Sequence, residues 1–306
     1  VHSRANRSIR KEGRAMTCKS RGYRIFQGIN CLITAIIVML CFFPFLYMLA
    51  ISLSSSREVV AGNVFLIPKG FVLDAYRMVL SYPNFFTAYG NTIFYTVAGG
   101  TIALCLTVMY AYPLSKAELK GTKFLSKTVV FTMFFTGGLI PNFLIVNALG
   151  LADTVWAMLL PFAIGPFNVI ILINFFRSIP AEIEEAAIID GMGYARILMR
   201  IVVPLSKPAL ATVALYIAVF FWNDWFYGMI YMNSQARFPV MLILRNIVMG
   251  STFSGVSAGA SGEGADIVYS TLKAATSILT MVPIILLYPF LQRYFITGLT
   301  VGSVKG

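Results

Sequence analysis

Charge is scarce in this chain. Asp, Glu, Lys and Arg make up 12% of its 306 residues, against 58% hydrophobic residues. That leaves too little polar surface to cover a water-soluble globule and places the chain in a bilayer. Histidine occurs once, as His2, and no H-E-x-x-H is present. Cys18, Cys31, Cys41 and Cys105 form no C-x-x-C pair. The sequence therefore suggests neither a metal site nor a disulfide framework, and the cysteines read as small apolar fillers. Also missing is G-x-x-x-x-G-K-[ST], the loop whose backbone amides cradle a nucleotide's phosphates. Nothing in the chain can cradle ATP, and any nucleotide-driven step falls to another polypeptide.

What the chain has instead is long apolar runs. Crossing a hydrocarbon core of roughly 30 Å takes about 20 residues of helix, the element that satisfies its own backbone hydrogen bonds. Six segments meet that length: 29–51, 87–112, 128–148, 155–176, 209–232 and 270–292. In the fourth, Pro161 and Pro166 predict a kink or a local break. Lys and Arg set the orientation. Six of the 24, Arg57, Lys69, Arg77, Arg237, Arg245 and Lys273, fall on one side, and the other eighteen mark the opposite side, with both termini, as cytoplasmic. The formal charge of +12 follows from this bias and from anionic lipid head groups, without nucleic acid. The run from Gly28 to Ile51 is too long for a secretory signal and reads as an uncleaved anchor.

The chain is thus expected to comprise a basic cytoplasmic N-terminus (1–28), a six-span membrane domain (29–296) and a cytoplasmic tail (297–306). Two extracytoplasmic insertions interrupt the domain. The first, 52–86, is expected to hold short interfacial helices. The second, 233–269, is rich in Gly and Ser from Gly250 to Gly264 and is expected to be mobile alone.

Between the fourth and fifth spans, residues 178–208 read SIPAEIEEAAIIDGMGYARILMRIVVPLSKP. Ser178 is expected to cap a helix with Pro180 near its start. Glu182, Glu184 and Glu185 lie in the first turns, where the N-terminal dipole favours negative charge. Ile183, Ala186, Ala187 and Asp190 fall on one face at spacings of three and four, with small residues that let another backbone approach. Gly191-Met192-Gly193 supplies a turn, a second helix runs from Tyr194 to about Val203, and Pro204 is expected to break it. The product is a compact knob. A motor protein needs such a grip, since force passes only through a rigid element anchored to the spans it must move.

The knob's spacing carries a family signature. Glu185-Ala186-Ala187, three residues, Gly191, nine residues, then Ile201-Val202-Val203-Pro204 closely resembles the EAA loop of permeases in binding-protein-dependent ABC importers, whose pattern ends I-x-L-P. Val203 in place of leucine is the one departure. Ala111-Tyr112, Leu114-Ser115-Lys116, Leu149-Gly150-Leu151-Ala152-Asp153-Thr154, Ile189-Asp190-Gly191 and Trp222-Asn223-Asp224 extend the likeness over roughly residues 86–296. The whole resembles the MalG-type half of a carbohydrate importer, with a layout close to the LplC-type subgroup.

That resemblance implies an all-α membrane protein of six transmembrane helices with the type I ABC importer permease fold, multi-pass in a bacterial plasma membrane. Its loop would be the coupling helix, docked in a cleft of the ATPase. Glu185 would bind the ATPase surface, Ala186 and Ala187 would allow close packing, Gly191 would form the turn, and Ile201 and Pro204 would seat the second helix, with Asp190 also among the coupling residues. Implied partners are a second, MalF- or LplB-like permease, two ATP-binding cassette subunits and an extracytoplasmic sugar-binding protein. ATP and Mg would be bound by those subunits, while this chain holds no cofactor and catalyses no bond chemistry. Relatives of the subgroup serve varied oligosaccharides, uronate-containing ones among them, and Arg237, Arg245 and Lys273 near the outer mouth are compatible with an acidic substrate.

A second candidate site lies in the fifth span, where Trp222, Asn223, Asp224, Trp225 and Tyr227 combine a carboxylate with dense aromatics. An acid at membrane depth costs roughly 2.5 to 3.5 kcal/mol on insertion scales, so it should face a partner helix or a watery cavity. Sugars suit such a lining, with C–H faces on the rings and hydroxyls on Asn and Asp. An interfacial aromatic belt with a structural Asp224 is the plainer alternative. A rival class, an ion-coupled secondary transporter or channel subunit, would want paired ionisable residues in several spans, and Asp224 stands nearly alone. Gly255-Val256-Ser257-Ala258-Gly259 fits G-x-S-x-G and Gly259-Ala260-Ser261-Gly262 fits G-x-S-G. With His2 at the opposite membrane face and no strand-turn-helix elbow, both read as accidents of low complexity.

Overall fold

A computed structural model describes residues 21–257 and 269–286. The basic arm, the Gly/Ser-rich stretch beyond Ser257 with the second serine motif and the last two residues of the first, and the C-terminal tail lie outside the described residues, and so does the end of the sixth span. Among the described residues every regular element is a helix. In chain order these are α1 (Arg21–Ser52), α2 (Ser56–Val60), α3 (Asp74–Leu80), α4 (Phe85–Ser115), α5 (Thr122–Phe134), α6 (Leu139–Ala148) and α7 (Val155–Leu159). They continue as α8 (Pro166–Arg177), α9 (Ala181–Ile189), α10 (Tyr194–Leu205), α11 (Lys207–Trp222), α12 (Phe226–Tyr231), α13 (Val240–Ser257) and α14 (Tyr269–Leu286).

Three of them are long and apolar enough to cross a bilayer unaided: α1 over Ile25–Ser52, α4 and α14. Three bent pairs complete a six-crossing count: α5 with α6 at 109°, α8 with α9 at 74°, and α10 with α11 at 85°. The chain is a multi-pass, all-α membrane protein. The last two angles matter most, because they turn α9 and α10 steeply across the spans that carry them.

Several spans depart from straight helices for identifiable reasons. The third, expected unbroken over 128–148, folds sharply after Phe134 at Gly137-Gly138, where Gly138 has φ 89°, a left-handed backbone that favours glycine. The fourth breaks between Leu159 and Pro166, where its prolines predicted a break. The fifth, expected continuous to 232, stops at Trp222 and restarts at Phe226. Within the insertion 233–269, the part of the Gly/Ser-rich stretch from Gly250 to Ser257, expected to be mobile, is helical and ends a helix that runs from Val240 to Ser257. Its Val240, Ile243, Leu244 and Ile247 recur at the 3.6-residue period and bury against Val79, Phe85, Ala88 and Leu272.

The core sits where α4, α8 and α11 meet. Val169, Leu172, Ile173 and Phe176 of α8 and Val213, Ile217 and Phe221 of α11 close on α4. The side that α4 offers them is thin. Gly99, Ala103, Thr107, Ala111 and Ser115, spaced by four, are all buried and form a ridge of small residues that lets backbones approach. At Gly99, beside a π-turn over Tyr95–Gly99, an added Cβ would stand 2.7 Å from the Phe221 ring and 2.9 Å from Leu159.

At the far end of α4, Asn91, Thr92 and Tyr95 hold the 232–240 segment. Asn91 Nδ2 donates to the Ala236 carbonyl at 2.8 Å, Thr92 Oγ1 accepts from Val240 N–H at 2.8 Å, and Tyr95 Oη donates to the Arg237 carbonyl at 2.8 Å. Asp153, itself left-handed at φ 53°, ties the 149–154 turn to the same segment. Its carboxylate accepts the Asn233 and Ser234 N–H groups and pairs with Arg237 at 3.1 Å. The Ser234 N–H above all, with Asn233 and the Arg237 guanidinium, holds that carboxyl below its usual range.

Gly99→Ala must push Phe221 and Leu159 aside and should cost about 1 to 3 kcal/mol of stability. Gly100→Ala, whose Cβ meets only Ile217 at 3.9 Å, should be neutral or stabilising. Denaturant unfolding of both purified variants in micelles measures the contrast, and equal midpoints would remove the close approach from the account.

Candidate functional site

The loop between α8 and α11 is built as a bracket. Pro180, with φ −56° and ψ 132°, stands at the N-cap of α9, and Glu182 and Glu184 lie in the first turn. Ser178 does not cap α9 as expected. Its Oγ donates to the Phe175 carbonyl at 2.6 Å, so it ends α8 instead, the common behaviour of a hydroxyl within reach of the last helical carbonyls. The helix closes when Gly191 N–H bonds the Ile188 carbonyl and Met192 N–H bonds Ala187, with Gly191 at φ 77°. That left-handed turn is what the glycine is for.

The face read as open to another backbone is mostly exposed, and α9 turns a different side inward. Ile183, Ala186 and Asp190 are exposed, while Glu184 and Ala187 are buried. Ala187 enters the main core. Glu184, an acid 7% exposed, is paired: its carboxylate accepts from Tyr112 Oη at 3.0 Å and forms an ion pair with Lys116 Nζ. The Lys116 ammonium also lies over the Tyr112 ring, 4.9 Å from its centroid, and that ring meets Phe176 edge-on. Arg177 at the end of α8 donates to the Leu114 carbonyl at 3.1 Å. A buried carboxylate needs such partners, because an unpaired one would be costly. The base of α4, the end of α8 and the underside of α9 are thereby one unit. Tyr112, Lys116, Arg177 and Glu184 were not among the residues the sequence singled out as coupling candidates. Glu184 was read only as one of three acids favoured by the helix dipole, and nothing local marks which of three neighbouring glutamates turns inward.

Helix α10 completes the bracket. Ile197 and Val202 are fully buried and Ile201 packs against the same core. The helix ends at Leu205, before Ser206, so it closes within a residue of the break expected at Pro204. A π-turn over Leu198–Val202 widens the backbone just ahead of it, where a proline ring needs room. Of the predicted loop residues, Ala187 and Ile201 are therefore packed inward, Gly191 forms the turn, and Glu185, Ala186, Asp190 and Pro204 face outward. Beside them a cavity of about 610 Å³ opens between the base of α4, α8 and α9, rimmed by Lys116, Glu118, Arg177, Glu185, Ile188 and Tyr194. Ile189 next to it is 85% exposed.

The second predicted site is divided by the break between α11 and α12. Trp222 is buried and donates its indole N–H to the Thr280 carbonyl at 3.2 Å, and Tyr227 stacks between Phe162 and Tyr231. The Asp224 carboxylate accepts the Tyr227 N–H at 3.0 Å and so starts α12, a structural use. Asn223 and Trp225 are left towards the outside, with Arg245 of α13 over the Trp225 ring.

No family model matches the chain. Among known proteins, Protein LplC of Bacillus subtilis is 42% identical over 283 residues, covering 92% of this chain and 96% of that protein. The polygalacturonan/rhamnogalacturonan transport system permease protein YtcP of the same organism is 41% identical over 268 residues, with 88% and 94% covered. A chain in the crystal structure of a bacterial ABC transporter that imports the acidic polysaccharide alginate superposes with TM-score 0.78 at 36% identity, covering 90% of this chain and 98% of that one. The chain belongs to the ABC importer permease family. In this permease the loop with the E-A-A spacing is the bracket just described.

The pairing of Glu184 is testable in the isolated permease. A double-mutant cycle of Glu184→Gln with Lys116→Met should give a coupling of about 1 to 3 kcal/mol, whereas Glu185→Gln with Lys116→Met should stay within about 0.5 kcal/mol. Unfolding in micelles reads both cycles; similar small values would mean that Glu184 is not the anchor.

Proposed function

We propose that this permease forms half of the translocation pathway of an ATP-driven, binding-protein-dependent importer of oligosaccharides in a bacterial plasma membrane. It acts as a conduit and a receiver of force. A second permease supplies the other half of the pathway, an extracytoplasmic sugar-binding protein delivers the cargo, and two ATP-binding subunits hold ATP and Mg and hydrolyse the nucleotide. The Lys and Arg bias places the termini and the α9–α10 bracket in the cytoplasm, where those subunits work. The carbohydrate class is supported by relatives: YtcP is named for polygalacturonan and rhamnogalacturonan, and the solved importer carries alginate.

One observation carries the coupling role. Helix α9 has one face welded into the core through Glu184 and Ala187, while its other face presents Glu185, Ala186 and Ile189 to whatever lies outside the chain. Ile183, Ile188, Ile189 and Tyr194 are all exposed on a loop whose charge bias puts it in water, and a cluster of exposed apolar side chains marks a contact surface. A partner that seats on this face pulls directly on α8 and on the base of α4. The ion-coupled alternative loses its main candidate, because the Asp224 carboxylate is engaged at the start of α12.

Glu185→Lys reverses a charge on the presented face without touching the buried one. In the complete importer reconstituted with its binding protein, it should reduce sugar-stimulated ATP hydrolysis and uptake by about tenfold or more, since like-charge contacts at an interface cost several kcal/mol. The spans should still insert, as read by labelling of exposed cysteines. Normal uptake in that variant would reject the assignment.

A further inference from the structure

The two arginines that the sequence places near the outer mouth have different fates. Arg237 is committed: it pairs with the Asp153 carboxylate at 3.1 Å and donates to the Asp153 carbonyl. Arg245 is not. The ion pairs among the described residues are Arg77–Asp74, Lys116–Glu184 and Arg237–Asp153, so Arg245 meets no carboxylate there. One of its N–H groups reaches the Met229 sulfur at 3.5 Å, a weak acceptor, and its other donors have no partner among the described residues.

The surroundings hold that guanidinium in a fixed pose. Val240, Ile243, Leu244 and Ile247 bury one side of α13, and at 3.6 residues per turn Arg245 falls on the opposite side. There its Cζ stands over Trp225, 4.5 Å from the ring centroid. A guanidinium held over indole keeps its N–H groups available for a bidentate acceptor. Helices α12 and α13 are locked at this crossing by Gly228, where an added Cβ would stand 2.7 Å from Pro239. Met229, whose sulfur accepts from that guanidinium, and Phe226, whose ring meets Trp225 edge-on, are both exposed. Apolar surface for the C–H face of a sugar ring and a planar cation beside it are the parts that bind a sugar acid.

We propose that Trp225 and Arg245 form a binding site for a uronate residue of the transported oligosaccharide. The pyranose ring packs on Trp225, Phe226 and Met229, and its carboxylate takes the free edge of the Arg245 guanidinium. This rests on the carbohydrate-importer reading above and deepens it: the chain's own residues select for negative charge. The site uses one residue predicted for the pathway, Trp225, and leaves Trp222 and Asp224 to structural roles.

The test uses the complete importer in proteoliposomes with its binding protein, and two probes: trigalacturonate and its neutral methyl ester. Each is loaded at a concentration that saturates the binding protein. Wild type should take up the acid in preference to the ester. Arg245→Gln should lower the ratio of acid to ester uptake by about tenfold, the scale of one lost hydrogen bond to a charged group. Arg245→Lys, which keeps the charge but not the fork, should fall between the two. A ratio that does not move, or uptake of both probes reduced equally, would make Arg245 structural and overturn the proposal, as would a wild type that prefers the ester. A wild type showing no ATP-dependent uptake of either probe or of any neutral oligosaccharide would instead overturn the carrier reading beneath it.

Discussion

A single buried carboxylate organises the end of the molecule that is proposed to receive force. Glu184 turns under its own helix to meet Tyr112 and Lys116 of α4, and Arg177 of α8 bonds the backbone of α4 beside them. Taking a carboxylate out of water is costly unless every acceptor is used, and these partners use it. Because the interaction is expensive to half-satisfy, the arrangement is close to all-or-none. Helix α9 either sits squarely on the base of α4 or leaves a buried charge exposed to nothing. A lever fastened in that way cannot slide under load, and this is why a short helix of nine residues can be mechanically useful.

The thin ridge of α4 extends the same logic into the bilayer. Gly99, Ala103, Thr107, Ala111 and Ser115 bring α8 and α11 close along one side of the helix. In hydrocarbon there is little hydrophobic gain from burying one apolar surface on another, so close backbone packing has to supply the adhesion. Displacement of α9 is thereby passed to α4, and from α4 to the two spans that enter and leave the bracket. At the far end, Asn91, Thr92, Tyr95 and Asp153 fasten the segment that leads to α13. The two ends of α4 thus hold the two proposed functional surfaces, and the ridge of small residues runs between them.

Much of this was legible in the sequence, and the parts that were not share a cause. Six crossings, the loop between the fourth and fifth spans, the left-handed Gly191 and the broken fourth span follow from hydropathy, charge bias and proline, all local signals. The inward face of α9 did not follow. Ile183, Ala186, Ala187 and Asp190 make the better amphipathic stripe, yet the face that packs contains Glu184, because its partners lie about 70 residues away on another helix. Ser178 was assigned to the wrong helix, since a hydroxyl at such a junction can serve either neighbour and only the geometry decides. Helix α13 was hidden by the Gly and Ser that follow it, although Val240, Ile243, Leu244 and Ile247 carry a clear helical period. The spacing by four from Gly99 to Ser115 was equally visible and stands as the signal that could have identified the core of α4.

The most direct test of the lever is a distance. In a variant with its native cysteines replaced, spin labels at Glu182→Cys on α9 and Lys120→Cys just beyond α4 can be measured by pulsed electron resonance in the assembled importer, without nucleotide and with ATP trapped. If the bracket and α4 move as one body, the separation stays within about 2 Å between the two states. A change of more than about 5 Å would mean that α9 swings on a hinge, and the account of Glu184 as the fastening would be contradicted.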